Sequence, residues 1–135
     1  MRVMLDTNVI ISDLIFCSPT IVRAEEDIAK HHELLLCTYV VDELREVIKR
    51  KWPQRTPDLE RLLQKVDYEL VLTPSKPPED LFDIRDPKDY PVLYSAMLAD
   101  ADVLVTGDKD FGEVVVDRPE ILTPAEYVNL YAEED

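Results

Sequence analysis

The chain has 135 residues, 46% of them apolar, with 15 basic and 29 acidic side chains for a formal net charge of −14. That apolar share suits one compact domain burying about two-thirds of its unfolded surface, and the charge excludes a simple cationic binder of nucleic acid. The excess is lopsided: residues 1–65 carry 10 basic and 11 acidic side chains, residues 66–135 carry 5 and 18. Only two glycines occur, Gly107 and Gly112, so Gly-rich phosphate loops are excluded. Cys17 and Cys37 cannot build a disulfide scaffold or a zinc site and read as buried apolar thiols. Asp6 interrupts what would be the apolar region of a signal peptide, and no run of about 18 apolar residues follows. The expectation is a soluble, cytoplasmic protein with no membrane segment.

Val3-Met4-Leu5 reads as a short apolar strand ending at Asp6, after which Val9, Ile10, Leu14 and Ile15 recur at helical spacing. Thr20 opens a second helix through about Lys30, and residues 33–37 form a second buried strand. Thr38 reads as the N-cap of a helix whose stripe is Val40, Val41, Leu44, Val47 and Ile48, stopped by Pro53. Thr56-Pro57 starts another, with Leu59, Leu62, Leu63 and Val66 inward. Residues 68–73 are a third strand, and the Pro-rich acidic stretch 74–86 is irregular. Asp86-Pro87-Lys88-Asp89 is a cap and first helical turn, leading through Val92 and Ala96 to the strand 103–105 and then Thr106-Gly107-Asp108-Lys109-Asp110. A last strand at Ile121-Leu122 runs into the capped helix start Thr123-Pro124-Ala125-Glu126. Short apolar strands alternating with amphipathic helices predict a single α/β domain over residues 1–135, with a central, mainly parallel sheet between helical layers.

In such a sheet, ligands collect outside the carboxyl ends of the strands. Asp6 and Asp108 follow strands directly, Asp89 lies in the first turn of a helix, and Glu43 lies near the start of another. Four carboxylates at one edge repel unless protonated or bridged by a cation. Oxygen donors without His or Cys suit Mg²⁺ or Mn²⁺, and one or two such ions catalyse phosphodiester hydrolysis. Any one of these acids alone is as readily a helix cap or dipole partner; their joint placement is what carries weight. Asp42 leaves the second acid ambiguous by one position, and Glu43 is preferred because it spares the apolar stripe. Asp86 competes with Asp89 but reads as the cap itself.

Asp6-Thr7-Asn8-Val9 after an N-terminal strand, Glu43, Asp89, and Leu104-Val105-Thr106-Gly107-Asp108-Lys109-Asp110-Phe111, in this order, resemble the PIN-domain family. More narrowly the chain is similar to prokaryotic toxin components of toxin–antitoxin systems, the VapC-type ribonucleases. The resemblance covers essentially the whole chain, to Ile121-Leu122-Thr123-Pro124-Ala125-Glu126-Tyr127. It implies a three-layer α/β/α PIN fold and a metal-dependent ribonuclease in which Asp6, Glu43, Asp89 and Asp108 form the catalytic, metal-binding quartet. Asp110 is then a further ligand or a supporting acid. Thr7 and Asn8 would brace Asp6 by hydrogen bonds, a role compatible with Asn8 acting as a helix N-cap, and Thr106 would do the same or contact water. The implied partners are an RNA substrate, an antitoxin and a second copy of the chain.

RNA contact is expected from Arg45, Lys49, Arg50, Lys51, Trp52 and Arg55, which lie in a stretch, 45–65, holding 7 of the 15 basic residues; Trp52 could stack a base. The same lysines could merely complement a helix C-terminus. The alternative function is a catalytically weak PIN module acting as a binding or regulatory protein. A receiver-type phosphoacceptor domain is disfavoured because Asp6 stands alone, and a two-Asp phosphatase because position 8 is Asn.

Overall fold

The computed structural model describes residues 1–78, 80–108, 111 and 114–132. Five strands, β1 (Arg2–Leu5), β2 (Glu33–Cys37), β3 (Glu69–Val71), β4 (Val103–Val105) and β5 (Glu120–Leu122), form one sheet in the order β3-β2-β1-β4-β5. Every neighbouring pair is parallel. Val3, Met4 and Leu5 are all buried, as are Val103, Leu104 and Val105. Strands covered by helices on both faces need this continuous burial rather than alternation.

The helices are α1 (Thr7–Ile11), α2 (Pro19–His31), α3 (Thr38–Lys51), α4 (Thr56–Lys65), α5 (Tyr90–Leu98) and α6 (Pro124–Tyr131). α2 packs on α6, while α3 packs on α1, α4 and α5. Among the described residues no helix is long and apolar enough to cross a membrane. The chain steps outward from β1 to β2 and β3, then returns to the other side of β1 for β4 and β5. The direction in which strands are added across the sheet therefore reverses between β1 and β4, which opens a crevice at their carboxyl ends. Leu5 pairs with Val105 there, and the Asp6 N–H donates to the Val105 carbonyl at 3.0 Å. Asp6 and Thr106 leave the sheet side by side.

Several local expectations are corrected. Thr38 is the first residue of α3 rather than its cap, with Cys37 ahead of it making no side-chain cap bond. Its hydroxyl instead accepts from Thr73 N–H at 2.9 Å, while the Thr73 hydroxyl accepts from Tyr39 N–H at 3.2 Å. A residue 34 positions away thus satisfies one of the orphan donors of the helix start. Thr56 likewise lies inside α4, because a 3₁₀ turn, Pro53–Arg55, feeds the helix already wound. β3 is shorter than the expected 68–73. α1 widens into a π-helical turn, Ser12–Phe16, leaving Leu14 and Ile15 half-buried and Phe16 exposed. Cys17, which ends that turn in the left-handed conformation with φ 51°, is exposed; only Cys37 is the buried thiol expected of both.

The start of α6 is a full capping box, with the Thr123 hydroxyl accepting from Glu126 N–H and the Glu126 carboxylate from Thr123 N–H. Replacing Thr123 with Ala is expected to cost about 1 kcal/mol, read as a lower urea midpoint at unchanged slope.

Candidate active site

Asp6, directly after β1, is the N-cap of α1 and only 4% exposed. Its Oδ1 accepts from Thr7 N–H at 2.8 Å and its Oδ2 from the Thr106 hydroxyl at 2.9 Å. The Thr106 Oγ1 also accepts from Asp108 N–H at 3.1 Å, so one buried hydroxyl ties together the two acids at the strand ends. Thr7 supports Asp6 through its main chain alone; its own Oγ1 is buried without a hydrogen-bond partner. Asn8 does not reach Asp6. Its Oδ1 accepts from Gly107 N–H at 2.9 Å, pinning the turn that carries Asp108.

Glu43 is half-buried in α3, whereas Asp42 beside it is exposed. The Asp86 carboxylate accepts from Lys88 N–H at 3.0 Å and caps the 3₁₀ turn Pro87–Asp89, which places Asp89 at the head of α5. Asp110 lies outside the described residues.

The four carboxyl groups feel one another's charge. Burial raises the Asp6 carboxyl from 3.8 to about 6 against the pull of its two hydrogen bonds, with the charges of Glu43 and Asp108 adding to the rise. Burial likewise raises Asp89 to about 8, helped by the charges of Asp6 and Asp108, a hydrogen bond with Asp108 and the charge of Asp86. The chemistry-bearing residue missing from the sequence reading is Tyr39, four residues before Glu43 and so on the same face of α3. Burial, then the charges of Glu43, Asp89, Asp86 and Asp6, push its hydroxyl up; that spacing from Glu43 was the available signal.

Such mutual repulsion is what a cation would relieve. Asp89 Oδ2 is buried with no hydrogen-bond partner, and every donor of the set is oxygen, the chemistry of a hard divalent ion. In donor chemistry the residues therefore suit Mg²⁺ or Mn²⁺. They do not converge on a single point: among the described residues, no three His, Cys, Asp or Glu side chains are close enough to hold an ion between them.

The basic stretch lies away from this edge. Lys49, Arg50 and Lys51 occupy the last turn of α3, roughly 10 Å along the axis beyond Glu43. Arg45 is paired with Glu60 at 2.8 Å, Arg50 with Glu46 at 3.0 Å and Arg55 with Asp58 at 2.6 Å. Trp52 meets Phe16 edge-on with 6.2 Å between ring centres, and the Lys51 ammonium lies 5.9 Å from the indole centre.

The sequence pattern of the PIN domain matches residues 2–110, which spans β1 to the Asp108 loop and includes every acid of the quartet. The chain belongs to the PIN domain family. The chain is similar to a chain in the crystal structure of VapBC2 from Rickettsia felis bound to a DNA fragment from its promoter. The TM-score is 0.69 and the identity 16%, over 90% of this chain and 97% of that one. No curated protein matches the sequence.

Proposed function

We propose that this PIN-domain protein is a Mg²⁺- or Mn²⁺-dependent endoribonuclease and the toxin of a toxin–antitoxin pair. The observation that carries the reading is the buried Asp6 carboxyl in the crevice between β1 and β4, within the field of Glu43 and Asp108, with Asp89 bonded to Asp108 and one Asp89 oxygen unbonded. Asp6, Glu43, Asp89 and Asp108 hold the ion or ions, and Asp110 is assigned as a further ligand. When bound, a divalent ion activates water and offsets charge on the attacking and leaving oxygens of the phosphodiester. Thr106 fixes the Asp6 carboxylate and the Asp108 main chain in one arrangement.

Water as the nucleophile leaves one linear phosphate and one free hydroxyl. Cleavage of RNA in Mn²⁺ with those ends, abolished by EDTA, is the expected result; cyclic phosphate ends would show attack by the ribose hydroxyl and contradict the assignment. Thr106→Val keeps the shape of the side chain and removes both hydrogen bonds. It is expected to weaken Mn²⁺ binding about 10- to 100-fold, measured by calorimetric titration.

The partner and the assembly are parts of the same proposal. The structural relative comes from a toxin–antitoxin complex, and a chain of −14 suits a partner with a basic segment. A homodimer is expected in light scattering; a monomer at high concentration would count against it. The absence of three converging acids among the described residues favours a second reading, a PIN module that binds without cutting. Under that reading Mn²⁺ leaves the melting temperature unchanged, whereas the nuclease reading requires it to rise.

A further inference from the structure

We propose that the cavity beside Asp89, walled by Phe82 and Tyr90, is a subsite for one unpaired nucleobase of a single-stranded RNA. The inference rests on the ribonuclease reading and extends it to how the substrate is held. The cavity, about 770 Å³, lies between the irregular segment after β3 and the head of α5, with Ser75, Lys76, Asp80, Phe82, Asp83 and Tyr90 on its walls. The Phe82 and Tyr90 rings are stacked, 4.3 Å between centres and 19° between planes. Tyr94, one helical turn further on, continues the column at 6.5 Å and 22°.

Tyr90 is held in place at its far end. Its hydroxyl donates to the Pro78 carbonyl and accepts from Leu81 N–H at 3.3 Å. Both rings are half-buried, Phe82 packing against the margin of the core while part of its surface remains open. A preset aromatic surface is what a base needs to stack without ordering cost.

Charge selects a base over a phosphate. Among the described residues Asp80, Asp83 and one lysine, Lys76, line the cavity; two carboxylates repel a phosphate but accept hydrogen bonds from the exocyclic amino groups of a base. Position then ties the subsite to the chemistry. Tyr90 follows Asp89 directly, and Pro87 and Pro91 also line the cavity. The cavity and Asp89 thus share the head of α5, and the proposal places a base seated here on the strand whose phosphodiester meets the acids. Only a strand whose bases are free of pairing can present a face to the column.

The test is fluorescence anisotropy on the metal-free protein at low salt. A labelled single-stranded RNA of about eight nucleotides, within the footprint of such grooves, is compared with a ribose-phosphate strand of the same length lacking bases. The wild type is expected to favour the base-bearing strand by about tenfold or more. Phe82→Leu, which keeps apolar volume and removes the ring, is expected to lose that preference while binding the base-free strand as before; Tyr90→Phe, which keeps the ring, is expected to retain it. Equal preference in Phe82→Leu, or none in the wild type, would overturn the subsite. Wild-type cleavage in Mn²⁺ without any base preference removes the subsite and leaves the nuclease standing. Base preference without cleavage in any metal does the reverse.

Discussion

Asp6→Asn is expected to abolish RNA cleavage and, in the same metal-free protein, to raise stability at pH 8 by about 2 kcal/mol. Burial raises the Asp6 carboxyl from 3.8 to about 6. At about 1.4 kcal/mol per tenfold change in proton affinity, that costs the folded state roughly 3 kcal/mol once the group is ionised. The amide removes the charge but does not reproduce every bond. Both carboxylate oxygens accept hydrogen bonds in the wild type, from Thr7 N–H and from the Thr106 hydroxyl. With Oδ1 kept for Thr7, the new NH₂ must donate to Thr106, whose own proton then loses its acceptor; a lost bond of this kind costs about 1 kcal/mol. The sum is a net gain at pH 8 that disappears at pH 4, where the folded carboxyl is protonated and the unfolded one, at 3.8, is only about half ionised, so little of the electrostatic cost remains. Urea unfolding of the two proteins at both pH values checks this. A variant less stable than the wild type at pH 8 would contradict the electrostatic account, even if its activity were gone.

Metal-free wild-type protein is expected to lose stability as pH rises from 4 to 8, opposite to the behaviour of a protein held by carboxylate salt bridges. Asp6 and Asp89 both have folded values above their ordinary 3.8, so between those limits the folded state binds more protons than the unfolded one, and stability falls with pH. Asp6 supplies up to about 3 kcal/mol of that loss, and the more exposed Asp89 adds in the same direction with solvent screening. Glu25, raised to about 9 by burial and then by its hydrogen bond with Asp13 and that residue's charge, pulls the same way. It lines a separate cavity of about 210 Å³ among Leu5, Ile10, Leu36 and Leu63, so an ion at the quartet leaves its share untouched. Saturating Mn²⁺ is therefore expected to restore most of the loss at pH 8 and little at pH 4. At a hundred times its dissociation constant, bound ion adds about 2.7 kcal/mol. Stability that climbs from pH 5 to 8 in EDTA, or that ignores Mn²⁺ at pH 8, would contradict a coupled acidic site.

Much of this candidate site is legible in the sequence because its chemistry sits where short-range patterns end. Three apolar residues before Asp6 and three before Thr106 mark strands, and a strand end on a parallel sheet is a place for ligands. Asp86-Pro87 and Thr123-Pro124 announced helix starts through bonds spanning two or three residues, and both caps form. What the sequence hid depends on partners far along the chain. Thr38 has the chemistry of an N-cap, yet Thr73 takes its hydroxyl. Asn8 was expected beside Asp6, but Gly107, 99 residues away, supplies the donor. The π turn after Ile11 rotates Phe16 and Cys17 outward in a way no hydrophobic period encodes. The Phe82–Tyr90 stack joins an irregular segment to a helix, so neither partner signals the other. The basic residues of 45–65 looked available in the sequence; in the fold, Arg45, Arg50 and Arg55 are paired with carboxylates.

The central claim is that Asp6, Glu43, Asp89 and Asp108 act together as one metal-dependent site for RNA hydrolysis. The most direct measurement is cleavage of a mixed panel of structured and single-stranded RNAs by the wild type and an identically prepared Asp6→Asn variant, each in Mn²⁺, Mg²⁺ and EDTA. The account expects wild-type cleavage that needs the metal and is lost in the variant. Equal cleavage by the two proteins, or wild-type cleavage that persists in EDTA, would contradict it.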